Sequence, residues 1–290
     1  MNIDPHTQPG ADAARSAEGC AEAAHGRLPE LRGTQQPPPS ALPDLEPGSW
    51  TYWDVLVVIG FALAAQIIAN IGVMFVVLLV GEARGGRFNL VDLMMNPAVL
   101  LPVQLIWWVL VFWIIYRIVR ARDPRPFPQA VRWVRPHLPP GIYLGGGALL
   151  AVSVAMLSYL LPSPNRKMPM EELFRDPTSA FLLAAFGVFA APPVEELLFR
   201  GFLFPVVERS HGQIAAVVAT AALFSLVHAQ QYGWAWQNLL LLGYVGVIFG
   251  TVRAVSRSLI PSTLMHAAYN FTLFAGLYAA SKGFHNFNFR

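Results

Sequence analysis

Residues 179–207 read SAFLLAAFGVFAAPPVEELLFRGFLFPVV. A helix needs about 20 apolar residues to cross a bilayer, and this stretch supplies them. Yet it also carries Glu195, Glu196 and Arg200 near its middle. An ionisable group at membrane depth costs roughly 2.5–3.5 kcal/mol even on lenient insertion scales. Three of them on one span have to face protein, not lipid. The stretch therefore reads as one member of an all-α, polytopic membrane helix bundle with a polar interior.

Outward from it, the same rule gives about seven transmembrane helices, near 53–80, 97–119, 140–161, 179–207, 213–230, 237–254 and 258–280. Composition agrees. Only 13% of residues are charged and the mean hydropathy is +0.47, against about 25% charged in soluble domains. The net charge of +3 is small, so it reads as membrane orientation and not as nucleic-acid binding. Cys20 is the single cysteine, which leaves neither a disulfide framework nor a cysteine-based zinc site. Residues 1–50 contain Pro37-Pro38-Pro39 and few apolar side chains. They are expected to form a disordered Pro-rich tail without the apolar core of a signal peptide. The expected organisation is that tail, N-terminal transmembrane helices over 51–178, signature-bearing helices over 179–280 and a C-terminal tail over 281–290.

Two further signatures interrupt later helices: Phe224-x-x-x-His228 and His266-x-x-x-Asn270. Between the second and third spans lie Arg117, Arg120, Arg122, Arg125, Arg132 and Arg135, which is expected to place this loop in the cytoplasm by the positive-inside rule. Depth can be compared without orientation. Spans four and five are joined near Glu208–Gly212, so Glu195 lies ~20 Å and His228 ~22 Å from that side at 1.5 Å per residue. Span seven begins on the same side, which puts His266 and Asn270 at ~14 and ~20 Å. Three helices thus bring polar groups to one level, as a shared site requires.

Helical spacing sorts these groups. Glu196 and Arg200 are four apart and can pair on one face; such a pair can be purely structural. Glu195 points about 100° away and has no basic partner on its helix, which suits general-base work. His266 and Asn270 share a face, and His228 comes from a third helix. A membrane histidine can also simply tie helices together.

The Glu-Glu-x-x-x-Arg, Phe-x-x-x-His and His-x-x-x-Asn signatures, in this order on successive apolar helices and with Gly201 directly after Arg200, resemble the CPBP intramembrane proteases. That family includes CAAX prenyl endopeptidases and bacteriocin-processing or self-immunity proteins of bacteria. The resemblance covers about 179–280. It implies an intramembrane endopeptidase in which Glu195 activates a water and His228 helps to hold it. It further implies that His266 and Asn270 stabilise the oxyanion, while Glu196 and Arg200 organise the site. It also implies a bacterial plasma membrane setting, membrane lipid as surroundings, and a peptide or lipid-modified protein as substrate.

Metal use stays open at this point. Glu195, His228 and His266 make a two-His, one-Glu set known from catalytic zinc centres, but no His-Glu-x-x-His accompanies them. The same residues can work through hydrogen bonds alone. Two other functional classes compete: an ion-coupled transporter, which also uses intramembrane Glu, His and Arg, and a non-catalytic membrane scaffold or immunity protein. No internal repeat of the transporter kind is visible, and the polar groups all lie in one half of the chain.

Overall fold

The computed structural model describes residues 49–83, 96–162, 168–174 and 176–286. All but the last two residues of the expected N-terminal tail lie outside them. The described elements are helical: α1 (Tyr52–Ala83), α2 (Pro97–Arg122), α3 (Phe127–Ala130), α4 (Pro140–Leu160), α5 (Pro177–Ala185), α6 (Ala191–Glu196), α7 (Phe204–Val227), α8 (Trp236–Ser256) and α9 (Leu259–Ala280). Segments Phe186–Ala190 and Leu197–Leu203 are wide π-helical turns that join α5, α6 and α7 into one continuous rod. In hydrocarbon every backbone group must be satisfied within the segment, which is why these apolar sequences wind into helices. Side chains fix several starts. Asn96 accepts from the Ala98 N–H, Asp176 from Ser179 and Ser258 from Ile260.

Five described helices are long and apolar enough to span a membrane. One of these is the 51-residue rod Pro177–Val227, which breaks at Gly212, where φ is 82° and ψ 170°. Only glycine adopts that backbone readily, and the break makes the turn expected between spans four and five. α9 falls outside the five because His266, Asn270 and its hydroxyl residues dilute its hydropathy. Counting both limbs of the rod and α9 gives the seven passes. The chain is an integral, multi-pass membrane protein. α1 shows what lipid solvation looks like: Leu63, Ile68 and Ile71 are 61%, 69% and 63% exposed, and its only extensive packing is on α2.

The loops sort to two ends. At one, Trp50 stacks on Phe202 and donates Nε1–H to the Phe202 carbonyl at 2.7 Å. There too Arg209 donates to the Trp50 carbonyl, Tyr52 meets Ser210 at 2.6 Å, Arg122 pairs with Asp54 at 3.0 Å and Ser258 donates to the Val134 carbonyl. Trp50, the last residue of the expected tail, is 1% exposed and so belongs to the bundle. At the other end the Met170 N–H donates to the Gln231 carbonyl at 3.0 Å. Phe284, from the segment expected to be a C-terminal tail, is buried there against Phe174 and Phe181.

α4 packs most extensively on α9. Gly147 makes this contact possible, because a Cβ there would stand 2.2 Å from the Met265 carbonyl oxygen. Small residues at such crossings let membrane helices approach backbone to backbone. α7 and α8 cross in the same way at Gly246, where a Cβ would lie 2.9 Å from Ala221 Cα.

Candidate active site

The prolines at 192 and 193 carry no N–H, so they cannot close the α-helical bonds of the preceding turn. The chain widens instead, and the Ala191 N–H goes to the Phe186 carbonyl five residues back. The Gly187 carbonyl loses its partner by this shift. Asn270 on α9 supplies one, its Nδ2–H donating at 2.6 Å. A second wide turn follows directly, with the Phe204 N–H on the Phe199 carbonyl. Glu195 and Glu196 sit on the short α-helical piece between the two. Wide turns of this kind are frequent at functional sites.

Glu196 is fully buried, as is Arg200. Arg200 Nη1 donates to Glu196 Oε1 at 3.0 Å and Nη2 to the Gly246 carbonyl at 3.0 Å. The guanidinium lies 4.9 Å from the centre of Phe224, and 5.7 Å from those of Phe199 and Phe249. Three rings and a carboxylate thus share one charge. His266 Nδ1 meets the same Glu196 oxygen at 3.2 Å. A carboxylate only accepts, so Nδ1 carries the hydrogen. The imidazole stacks on Phe249 at 4.7 Å and meets the edge of Phe224 at 5.8 Å.

His228 caps α7. Its backbone N–H turns to the Ser225 carbonyl, and its ring Nδ1–H takes the Phe224 carbonyl that the backbone gave up, at 2.7 Å. That bond fixes the tautomer and aims Nε2 the other way. Both Nε2 atoms face Glu195: Oε2 is 3.8 Å from that of His266 and 4.0 Å from that of His228. The side chains of Glu195 and His228 are 19% and 16% exposed, that of His266 only 4%. Two groups of the cluster are reachable, and the third forms its wall.

These separations are too long for direct hydrogen bonds and suit one intervening water. They are also wider than the tetrahedral edge of about 3.3–3.5 Å implied by zinc bonds of 2.0–2.2 Å. Among the described residues no group of three His, Cys, Asp or Glu is spaced to hold a metal.

The structure thus gathers Glu195, His228 and His266 around one point, with Glu196 and Arg200 behind His266. It places Asn270 one turn beyond His266, joined to the rod at Gly187. Residues 177–272 match the family described as Rce1-like, type II CAAX prenyl endopeptidase. That segment is similar to Rce1-like domains. No curated protein and no solved structure matches the chain. The matched segment runs from the N-terminus of α5 to about two-thirds of the way along α9, so it takes in every polar residue just described.

Several residues that build this site carry no charge and so escaped notice in the sequence. Phe249 and Phe199 box Arg200. Tyr232, in the turn after His228, packs with Phe199 and Leu242 and feels the charge of Glu195. Ser262, one turn before His266, lies beside Glu196. The close crossings had a legible signal, the Gly246-x-x-x-Gly250 spacing on an apolar helix and the Gly145-Gly146-Gly147 run.

Proposed function

We propose that this protein is a CAAX-type intramembrane endopeptidase that hydrolyses a peptide bond through a glutamate-activated water, without a metal step. The observation that carries the proposal is the convergence of two imidazole Nε2 atoms on Glu195 Oε2, at 3.8 and 4.0 Å. A water in that gap donates one hydrogen to Glu195 and the other to His228 Nε2, whose ring hydrogen is already committed at Nδ1. Its lone pair is then free for the substrate carbonyl carbon. As the C–O bond forms, Glu195 takes the water proton, in general-base fashion.

The carbonyl oxygen becomes an oxyanion. His266 donates to it from Nε2 as an imidazolium, its charge offset by the forming oxyanion while Glu196 holds the Nδ1–H. Asn270 has a second amide hydrogen to contribute. Glu195 then passes its proton to the leaving nitrogen, the C–N bond breaks, and a carboxylic acid and an amine leave. Arg200 neutralises Glu196, so the pair can sit fully buried.

The family resemblance suggests a bacterial plasma membrane and a peptide segment, lipid-modified or otherwise membrane-bound, as substrate. The test is Glu195→Gln, which keeps size and removes the base. Purified variant protein should fold and show no peptidase activity on membrane-anchored peptides that the native chain cleaves. Full activity in that variant would refute the glutamate-base mechanism.

A further inference from the structure

We infer that Arg253 is the inner ligand of an anion site at the arginine-rich end of the bundle, and that the group it takes is a phosphate. The site is separate from the Glu195 cluster and independent of the proposed chemistry. Arg253 lies in the last turn of α8 and is 4% exposed. Its Nε finds no acceptor among the described residues. The guanidinium rests 5.4 Å from the centre of Phe204, and it benefits from the negative end of its own helix. Neither the ring nor the dipole accepts its N–H groups.

The surrounding charges do not satisfy it either. The carboxylate acting most strongly on Arg253 is Glu208, which also acts on Arg132 and Arg209. Glu196 acts on Arg253 more weakly and already holds Arg200 and His266. Arg132 adds a second positive charge close by, and Arg257 and Arg125 act on Arg132 in turn. Arg125 is bound to Asp123 at 2.6 Å. Positive charge therefore exceeds negative charge around a buried fork of donors. A buried charge without a partner is strongly destabilising, and an apolar side chain of similar length would do better. Keeping an arginine here makes physical sense when an anion completes it.

The backbone brings these arginines together. Arg132 and Arg257 both have left-handed conformations, φ 62° and 51°. The Arg132 carbonyl accepts the Leu259 N–H at 2.8 Å, closing the α3–α4 loop over the junction of α8 and α9. Arg253 sits one turn inside the end of an apolar helix, which is the depth of phospholipid headgroups. Trp50 and the 38%-exposed Trp133 occupy the same end, as interfacial tryptophans do. Guanidinium matches phosphate oxygens in pairs, and basic recesses between helix ends are where anionic lipids bind.

The experiment compares the melting temperature of the purified full chain in nanodiscs of phosphatidylcholine and of phosphatidylcholine with phosphatidylglycerol. A third arm adds inorganic phosphate to the phosphatidylcholine discs at matched ionic strength. Phosphatidylglycerol should raise the melting temperature of the native chain by about 5 °C. Arg253→Met should lose that rise, yet be at least as stable as the native chain in phosphatidylcholine alone. Arg132→Gln, nearer the surface, should reduce the rise. If inorganic phosphate reproduces the shift, the site takes free phosphate; if only the lipid does, it takes a headgroup. Three results would overturn the inference: no shift in the native chain, a full shift in Arg253→Met, or Arg253→Met destabilised without any anion present.

Discussion

Glu196 holds His266 from behind: one carboxylate oxygen, Oε1, takes the imidazole Nδ1–H at 3.2 Å and Arg200 Nη1 at 3.0 Å. In the proposed mechanism, the orientation of His266 and the stability of the fold therefore pass through a single atom. Arg200→Ala should lower folded yield as well as activity, because it leaves Glu196 buried and uncompensated, at a cost of roughly 3–5 kcal/mol. The double variant Glu196→Gln/Arg200→Met should recover much of the melting temperature but not the activity. An unchanged melting temperature in Arg200→Ala would show that the pair contributes nothing to the fold.

His266 and Asn270 are expected to separate in one respect. Each should cost about 10²–10³ in kcat on removal if both donate to the oxyanion. Asn270→Ala should also destabilise the protein, since it strands the Gly187 carbonyl that the prolines have already deprived of its helical partner. Fully buried, an unpaired carbonyl costs about 1–3 kcal/mol; the bond is part-buried here, so the loss should fall at the low end. Parallel activity assays and thermal melts of each alanine variant against the native chain would check this; an unchanged melting temperature in Asn270→Ala would argue that the Asn270 bond is dispensable.

Chelators should leave the activity intact. The distances from Glu195 Oε2 to the two imidazoles match a bridging water better than a shared ion. Elemental analysis offers an independent readout. Stoichiometric zinc in the purified native chain, absent from both His228→Ala and His266→Ala, would make the centre a metallopeptidase site.

Gly147→Ala should impair catalysis from across the bundle. Its new methyl would land 2.2 Å from the Met265 carbonyl, directly before His266, and α9 would have to move. Displacements of about 1 Å can cost 10²-fold in rate. Gly145→Ala, where a Cβ meets nothing within 4 Å, is the control and should behave as native. Equal activity in the two variants would mean that α9 is not held by this crossing.

The residues legible in the sequence were those that lipid tolerates least. Glu195, Glu196, Arg200, His228 and His266 stood out because apolar surroundings make each one costly, and helical rise placed them at a common depth. The aromatic box did not stand out, since Phe249 in an apolar helix looks the same whether it faces lipid or a guanidinium. The wide turn before Glu195 was not legible either: whether the missing N–H groups of Pro192 and Pro193 produce a kink or a wide turn depends on what takes the freed carbonyl. Here Asn270 takes it, from 83 residues away. His228 likewise read as a residue inside a longer helix, whereas it ends that helix by capping it.

The two wide turns give the Glu195–Glu196 step a rotational setting separate from either flanking helix. Each holds one residue more than an α-turn, and one residue is about 100° of azimuth. Deleting a single residue from Phe186–Ala190 would remove the extra residue of the first wide turn, with the length of the rod across the membrane almost unchanged. Yet Glu195 would swing relative to α5, away from both imidazoles. The segment works as a dial, and its sequence tolerates substitution of side chains far better than any change in their number.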